Sequence, residues 1–294
     1  MKRRTFIESS LSAAALNALP WRALASSHQI EQIGVQLYTV RDAIKADFAG
    51  TLEKIAAIGY QEVELAGYFD HSAKEIRAML DKTGLTAPSA HFPLDVLQTH
   101  LPETIESAHI VGHKFLVCPW FDEKLRNEPD AYKKLGAEFN KLGEATKKAG
   151  IQLAYHNHIF EFQPGADGKL PYDILLESSD PNLVKMEMDL CWFTLGGQDP
   201  LEYFNKYPAR FPLVHVKDLK MVPKLAAGQK PDELMHWAEK DYMTEVGSGV
   251  IDWKRIFANG EKAEIAHYFV EHDSPKDAFA SLTASYKFLA ALRF

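Results

Sequence analysis

Short apolar runs along this 294-residue chain end repeatedly in side chains that bind metals or move protons. His91 closes one run. His156-Asn157-His158 closes a second, with Glu161 just beyond. Asp189 ends a third, His215-Val216-Lys217-Asp218 a fourth and Glu271-His272-Asp273 a fifth. Any one of these could be a cap or a solvated loop residue. Together, carboxylates and an imidazole brought from several strands make a cage of hard donors for Mn²⁺ or Mg²⁺, or a mixed cage for Zn²⁺. Neighbours such as Val214, Val216, Phe269 and Val270 are apolar. The polar residues between them are therefore expected to face inward, where they are costly to bury unpaired. Side-chain alternation puts Lys217 on the His215 side, Asp273 on the Glu271 side, and Lys185 and Glu187 on the Asp189 side. Those extra charges must pair with one another, or the strand ends must bulge.

The elements that position these residues repeat. Residues 33–38, 62–65, 87–92, 114–118, 151–156, 183–189, 212–217 and 266–271 read as β-strands, the fourth a continuous apolar run of the buried parallel type. Amphipathic helical stretches separate them. One carries Phe48, Leu52, Ile55 and Ala56 on one face; another carries Leu135, Phe139 and Leu142 and stops at Gly150, the residue type that closes helices. The segment from Leu219 to Val250 reads as a long loop, a lid or an oligomer contact, followed by a short helix over 252–258. Eight strand-then-helix units predict an α/β fold, a single-domain (β/α)₈ TIM barrel over residues 26–294. A doubly wound open sheet would carry a glycine-rich turn after its first strand; here the turn is Thr39-Val40-Arg41-Asp42. Barrels of this type do chemistry at the C-terminal ends of their strands.

Net charge is −7. That balance provides no basic surface for nucleic-acid phosphates, and it favours a neutral sugar over an anionic one. Residues 1–25 read as an export signal: Lys2-Arg3-Arg4, an apolar run around Leu11 to Leu19, then Ala23-Leu24-Ala25. The Arg3-Arg4 pair followed by Thr5-Phe6-Ile7 is of the twin-arginine type, so a periplasmic or otherwise exported protein is expected. Asn17 and Pro20 break the apolar run, which is too short for a stable membrane span. Cys118 and Cys191 are expected to be two buried free thiols.

Several strings resemble the sugar phosphate isomerase/epimerase family, within the xylose-isomerase-like barrel superfamily. They are Gly34-Val35-Gln36-Leu37-Tyr38-Thr39-Val40-Arg41-Asp42, Tyr155-His156-Asn157-His158 with Glu161-Phe162, Met188-Asp189, His215-Val216-Lys217-Asp218, Gly247-Ser248-Gly249-Val250-Ile251-Asp252-Trp253 and Val270-Glu271-His272-Asp273. The resemblance implies a divalent metal (Mn, Mg, Co or Zn) held by Glu, Asp, His and Glu from strands five to eight. Asp189, His215 and Glu271 match. The strand-five position is Ala154, which leaves Glu161, or else His158, as first ligand. Trp192 stands three residues after Asp189, where the endonuclease branch would have His. Trp192 and Trp120 could be platforms for a sugar ring or ordinary packing, and His91 and His156 are expected to contact substrate hydroxyls. The implied activity is isomerisation or epimerisation of a keto sugar or related polyol by enediolate proton transfer. Glu271 would serve as one base, and Glu161 or His158 as the other. A lyase is the alternative, eliminating β to the carbonyl of a 3-keto-glycoside or inosose, with His156, His158 or Lys217 as acid. A periplasmic sugar-binding barrel without catalysis is the non-enzymatic alternative. A homo-oligomer is compatible with either.

Overall fold

The computed structural model describes residues 28–128, 130–165, 167–223 and 230–294. The leader expected over residues 1–25 lies outside them. Eight parallel strands close a barrel: Ile33–Gln36, Glu62–Leu65, Thr86–His91, Phe115–Cys118, Gln152–His156, Val184–Asp189, Leu213–Val216 and His267–Val270. We refer to them as the first to eighth strands. Each pairs with its neighbours in sequence, and the eighth pairs with the first, Val35 opposite Val270. Such strands are covered on both faces, by helices outside and packed side chains inside, so they are short runs rich in apolar residues, interrupted where a polar side chain faces the barrel interior. That is why the expected strands lie within two residues of those observed.

Helices pack their apolar faces on the barrel wall. Phe48–Ile58 starts at Asp47, whose side chain accepts the Gly50 amide, and buries Leu52 and Ile55. Ala73–Thr83 opens with a reciprocal Ser72–Glu75 cap and closes on left-handed Gly84. Ala131–Lys148 buries Leu135, Phe139 and Leu142, as their spacing predicts. Ala278–Ala291 covers the seam where the sheet closes, and Tyr60 donates to its Leu282 carbonyl. Cys118 and Cys191 are both buried free thiols.

The interior is layered. At the N-terminal end, Val117, Ala154, Leu213 and Phe269 form an apolar floor. A Cβ on Gly34 would lie 2.5 Å from the Phe269 ring, so only glycine leaves that ring its place. A polar contact, His267 Nδ1 to Glu62 Oε2 at 2.9 Å, lies beside Phe269 at the strands' first residues, and the main polar layers lie towards the C-terminal ends. One expectation changes: the segment 219–250 is not all loop. Leu219 pairs with Met243 in a two-stranded antiparallel ribbon, and Pro231–Asp241 is a helix held by buried Leu234 and Ala238, one turn apart. Residues 224–229 of that segment lie outside the described residues. No helix among the described residues is long and apolar enough to cross a membrane.

Candidate active site at the barrel mouth

The polar layers hold the site. Strand alternation places His215 and Lys217, then Glu271 and Asp273, one above the other at the C-terminal ends of the seventh and eighth strands. Lys217 Nζ lies 2.7 Å from Glu271 Oε2, 3.0 Å from Asp189 Oδ2 and 3.1 Å from Asp273. His215 Nδ1 lies 2.8 Å from Glu271 Oε2. Burial disfavours the Lys217 ammonium, but the three carboxylates outweigh it and hold the amine well above its ordinary range. Burial also pushes Glu271 up, and Lys217 and His215 together bring it below the usual carboxylate range. Lys217 and His215 thus hold Glu271 as a carboxylate, paired to both.

Beneath this layer lies a second. Glu64 Oε2 is 2.6 Å from His215 Nε2 and 3.1 Å from His91 Nε2. Glu187 Oε2 is 2.8 Å from His91 Nε2, and 3.1 Å from both His156 Nδ1 and His215 Nε2. Gln36 donates to Glu64 Oε2 at 2.8 Å. Burial opposes protonation of His91, but Glu64 and Glu187 raise it to about 9. Sequence reasoning did not assign Glu64 or Glu187 to the site. The signal was the pair of acids in the second strand, Glu-Val-Glu-Leu, and the Lys-Met-Glu-Met of the sixth, which no apolar wall requires.

His156, not Glu161, is the fifth strand's contribution to these layers. Ala154 belongs to the apolar floor, so the next inward position up is His156, with Nε2 3.9 Å from Asp189 Oδ2. The Glu161 carboxylate is held by the Tyr155 hydroxyl and accepts the His158 amide at 2.9 Å. It lies outside both donor groups that could share an ion. Burial, opposed by the Tyr155 hydroxyl and that amide, raises Glu161 to about 7.

Asp189, His215 and Glu271 offer donor atoms all within 4.8 Å of one another. Asp189 accepts the Cys191 and Trp192 amides through Oδ1, which leaves Oδ2 with no well-angled hydrogen bond although Lys217 is near. A free carboxylate oxygen, an imidazole nitrogen and a second carboxylate, all buried, fit a divalent ion.

Above the layers opens a cavity of about 860 Å³, lined by Tyr38, His91, Trp120, His156, His158, Phe160, Lys217, Glu239, Glu271 and Asp273, among others. That volume suits a small sugar or cyclitol. Trp120 is 49 % exposed at its rim, as a stacking platform must be. Trp192 is fully buried, with Lys217 Nζ 5.4 Å from its ring centroid and the His158 ring centroid 6.3 Å away. It supports those two groups from below and offers no face to a ligand. His158 stacks on Phe160, and its Nδ1 has no hydrogen-bond partner. Burial, reinforced by the Lys217 charge, holds this imidazole well below its ordinary pKa and therefore neutral.

Two other expected strings are structural. Asp218 gathers the loop 247–253, accepting Gly247 and Gly249 amides and the Trp253 indole. Arg41 reaches the carbonyl oxygens of Tyr38 and Asp273, which ties the first strand's end to the eighth's.

A closed eight-stranded parallel barrel whose C-terminal mouth gathers carboxylates, imidazoles and an ammonium around a sugar-sized cavity is the architecture of a (β/α)₈ enzyme. The chain belongs to the xylose isomerase-like TIM barrel family, whose model matches residues 52–277. It is 27% identical over 233 residues to an inosose dehydratase from Lacticaseibacillus casei, which covers 71% of this chain and 76% of that protein. An inosose dehydratase from Geobacillus thermodenitrificans is 24% identical over 254 residues, 80% of this chain and 84% of that one. Among solved structures, a sugar phosphate isomerase/epimerase from Parabacteroides distasonis superimposes with a TM-score of 0.70 at 26% identity, covering 92% of this chain and 97% of the other.

Proposed function

We propose that this protein is a lyase that eliminates water, or another β-linked oxygen leaving group, from a keto sugar or keto cyclitol. The observation that carries the proposal is that the cavity offers one free base and one fixed cation. His158 lines the cavity as a neutral imidazole whose buried Nδ1 has no hydrogen-bond partner, which leaves Nε2 as the atom that can meet a substrate, and Lys217 lies near the same buried indole. Epimerisation by two bases needs a second free base on the opposite face. Glu271 is committed to Lys217 and His215, and Glu161 to Tyr155 and the His158 amide. Elimination on one face needs only one base. His158 takes the proton from the carbon next to the carbonyl. The electron pair moves onto the carbonyl oxygen, where the Lys217 ammonium stabilises the developing negative charge. The pair then returns to form the C=C bond as the β C–O bond breaks, and the His158 imidazolium protonates the leaving oxygen. Asp189, His215, Glu271 and His156 would hold a divalent ion, which when bound supplies Lewis-acid polarisation of a substrate oxygen. The relatives named inosose dehydratase support elimination over isomerisation as the reaction class.

The test is incubation of zinc- or manganese-loaded protein with inososes and 3-keto-glycosides in deuterated water, followed by NMR and ultraviolet absorbance. An enone or its tautomer is expected, with the His158→Phe variant slowed by about 10²–10⁴-fold, the usual worth of a general base. Accumulation of a deuterated epimer without an unsaturated product would reverse the assignment to an isomerase. Tight sugar binding with neither product would make it a binding barrel. The leader expected over residues 1–25 would place this reaction outside the cytoplasm, which cell fractionation checks.

A further inference from the structure

We propose that the barrel interior carries a second divalent-cation site, one layer below the mouth, in which Glu64 Oε2, Glu187 Oε2, His91 Nε2 and His215 Nε2 hold a zinc-like ion. The site is independent of which reaction the mouth performs.

Four heteroatoms form a closed ring. His91 Nε2 lies 3.1 Å from Glu64 Oε2 and 2.8 Å from Glu187 Oε2, while His215 Nε2 lies 2.6 Å and 3.1 Å from the same two oxygens. Each nitrogen carries at most one hydrogen. Two hydrogens must therefore serve four short contacts, and neither can point well at two oxygens on different strands. A cation at the centre would satisfy all four lone pairs at once. Tetrahedral zinc with ligands at roughly 2.0–2.1 Å requires donor–donor edges of about 3.3 Å. The observed edges of 2.6–3.1 Å are hydrogen-bond distances, so an ion would open the ring by a few tenths of an ångström as it replaced the shared protons. Two imidazoles and two carboxylates are a donor set that zinc accepts.

The glutamates supply a second, independent observation. Both side chains are completely buried, and Oε1 of each has no hydrogen-bond partner. Two half-satisfied carboxylates in the centre of a protein are costly if their role is only to orient histidines. As ligands, each could turn its second oxygen onto the ion. His156, its Nδ1 3.1 Å from Glu187 Oε2, is a further donor: His91, His156, Glu187 and His215 offer donor atoms all within 4.8 Å of one another, with Glu64 closing the ring through its contacts to His91 and His215. His215 faces both sites, with Nε2 towards this ring and Nδ1 towards Glu271 and Asp189 at the mouth. With both sites filled, this ring would link the two ions as an imidazolate, its N–H proton released to solvent on metal binding, so that filling the inner site fixes the ring that serves the outer one.

The alternative occupant of the ring is a pair of protons, with His91 and His215 as imidazoliums. Zinc loading separates the two. The full chain is stripped with a chelator, loaded with zinc chloride, desalted, and analysed for zinc per chain by mass spectrometry. A crystal of the same sample gives an anomalous map at the zinc edge. Two ions per chain are expected. Glu64→Gln should lose the inner one and keep the mouth ion, and Asp189→Asn the reverse. At most one zinc, lost in Asp189→Asn and kept in Glu64→Gln, would overturn the proposal. If Glu64→Gln fails to fold, the wild-type map decides. A peak between His91 and His215 upholds the site, and a flat map there refutes it.

Discussion

Lys217 sits where three acidic side chains converge, within 3.1 Å of Asp189, Glu271 and Asp273. A buried ammonium so placed is the internal counter-charge of the mouth. Its removal leaves carboxylates without a partner in a medium that penalises them. Lys217→Met is close in volume and deletes only the charge. It should lower unfolding free energy by about 3–5 kcal/mol, the usual consequence of breaking a buried pair from one side. Added zinc should raise the melting temperature of Lys217→Met by more than it raises that of the wild type, because an ion at Asp189, His215 and Glu271 replaces the missing charge. Thermal melts with and without zinc read this directly. Equal zinc shifts in the two proteins would mean that the carboxylates are not competing for a cation.

At the level of elements, the loop after the two-stranded ribbon is positioned chiefly by one side chain, with Ser285 accepting the Val246 amide at its start. Asp218 accepts from the amides of Gly247 at 2.9 Å, Gly249 at 3.2 Å and Ile251 at 3.3 Å, and from the Trp253 indole at 3.0 Å. Gly249 must be glycine for this, since a Cβ there would lie 2.1 Å from Asp218 Oδ1. Asp218→Ala should destabilise the protein by about 3 kcal/mol, since hydrogen bonds to a charged acceptor contribute roughly 1.5–3 kcal/mol each and do not add fully. Hydrogen exchange should quicken across residues 246–253 and stay unchanged in the eight strands. Uniform acceleration throughout the barrel would show that Asp218 supports the whole fold and not this loop.

The same scale explains what could be read from sequence. Barrel strands are legible because burial on both faces leaves short runs rich in apolar residues, unbroken in Phe115–Cys118 and interrupted elsewhere by the polar side chains that face inward. The helix Pro231–Asp241 was hidden because its anchors are few, buried Leu234 and Ala238 with half-buried Met235 and Trp237, between lysine- and glycine-rich flanks. The mouth residues Asp189, His215 and Glu271 were visible as polar ends of apolar strands. Glu187 was legible as an inward-facing charge below Asp189 but was given no role, and Glu64 was missed, because both lie one layer below the ends, where a search confined to the rim stops. Glu161 misled for a related reason. Its distance past His156 in sequence does not reveal that its carboxylate turns to Tyr155 and away from the cavity.

For the molecule as a whole, pH tests how the shell is coupled to the barrel. His113 follows the helix Leu101–Val111, fully within the protein, with Nδ1 2.6 Å from the Ala87 carbonyl of the third strand and Nε2 3.1 Å from the Tyr68 hydroxyl. Nδ1–H donates and Nε2 accepts, so the ring is neutral in the fold. Burial lowers its pKa to about 4, against the partial opposition of the Ala87 hydrogen bond. In the unfolded chain it returns to about 6.5. Between those values the unfolded state binds the extra proton, so stability falls as pH falls. The contribution is complete above pH about 6.5, is lost progressively down to about 4, and amounts to an order of 3 kcal/mol over that window. His113→Asn keeps a donor for Ala87 but cannot titrate. Other histidines, His156 and His158 among them, titrate alike in both proteins, so the difference between variant and wild type isolates this one. Urea unfolding from pH 7 to 4 should show the His113→Asn curve flatter than the wild type's, the two converging at the acid end. Parallel curves would place the acid sensitivity of the fold entirely within the barrel's charged interior.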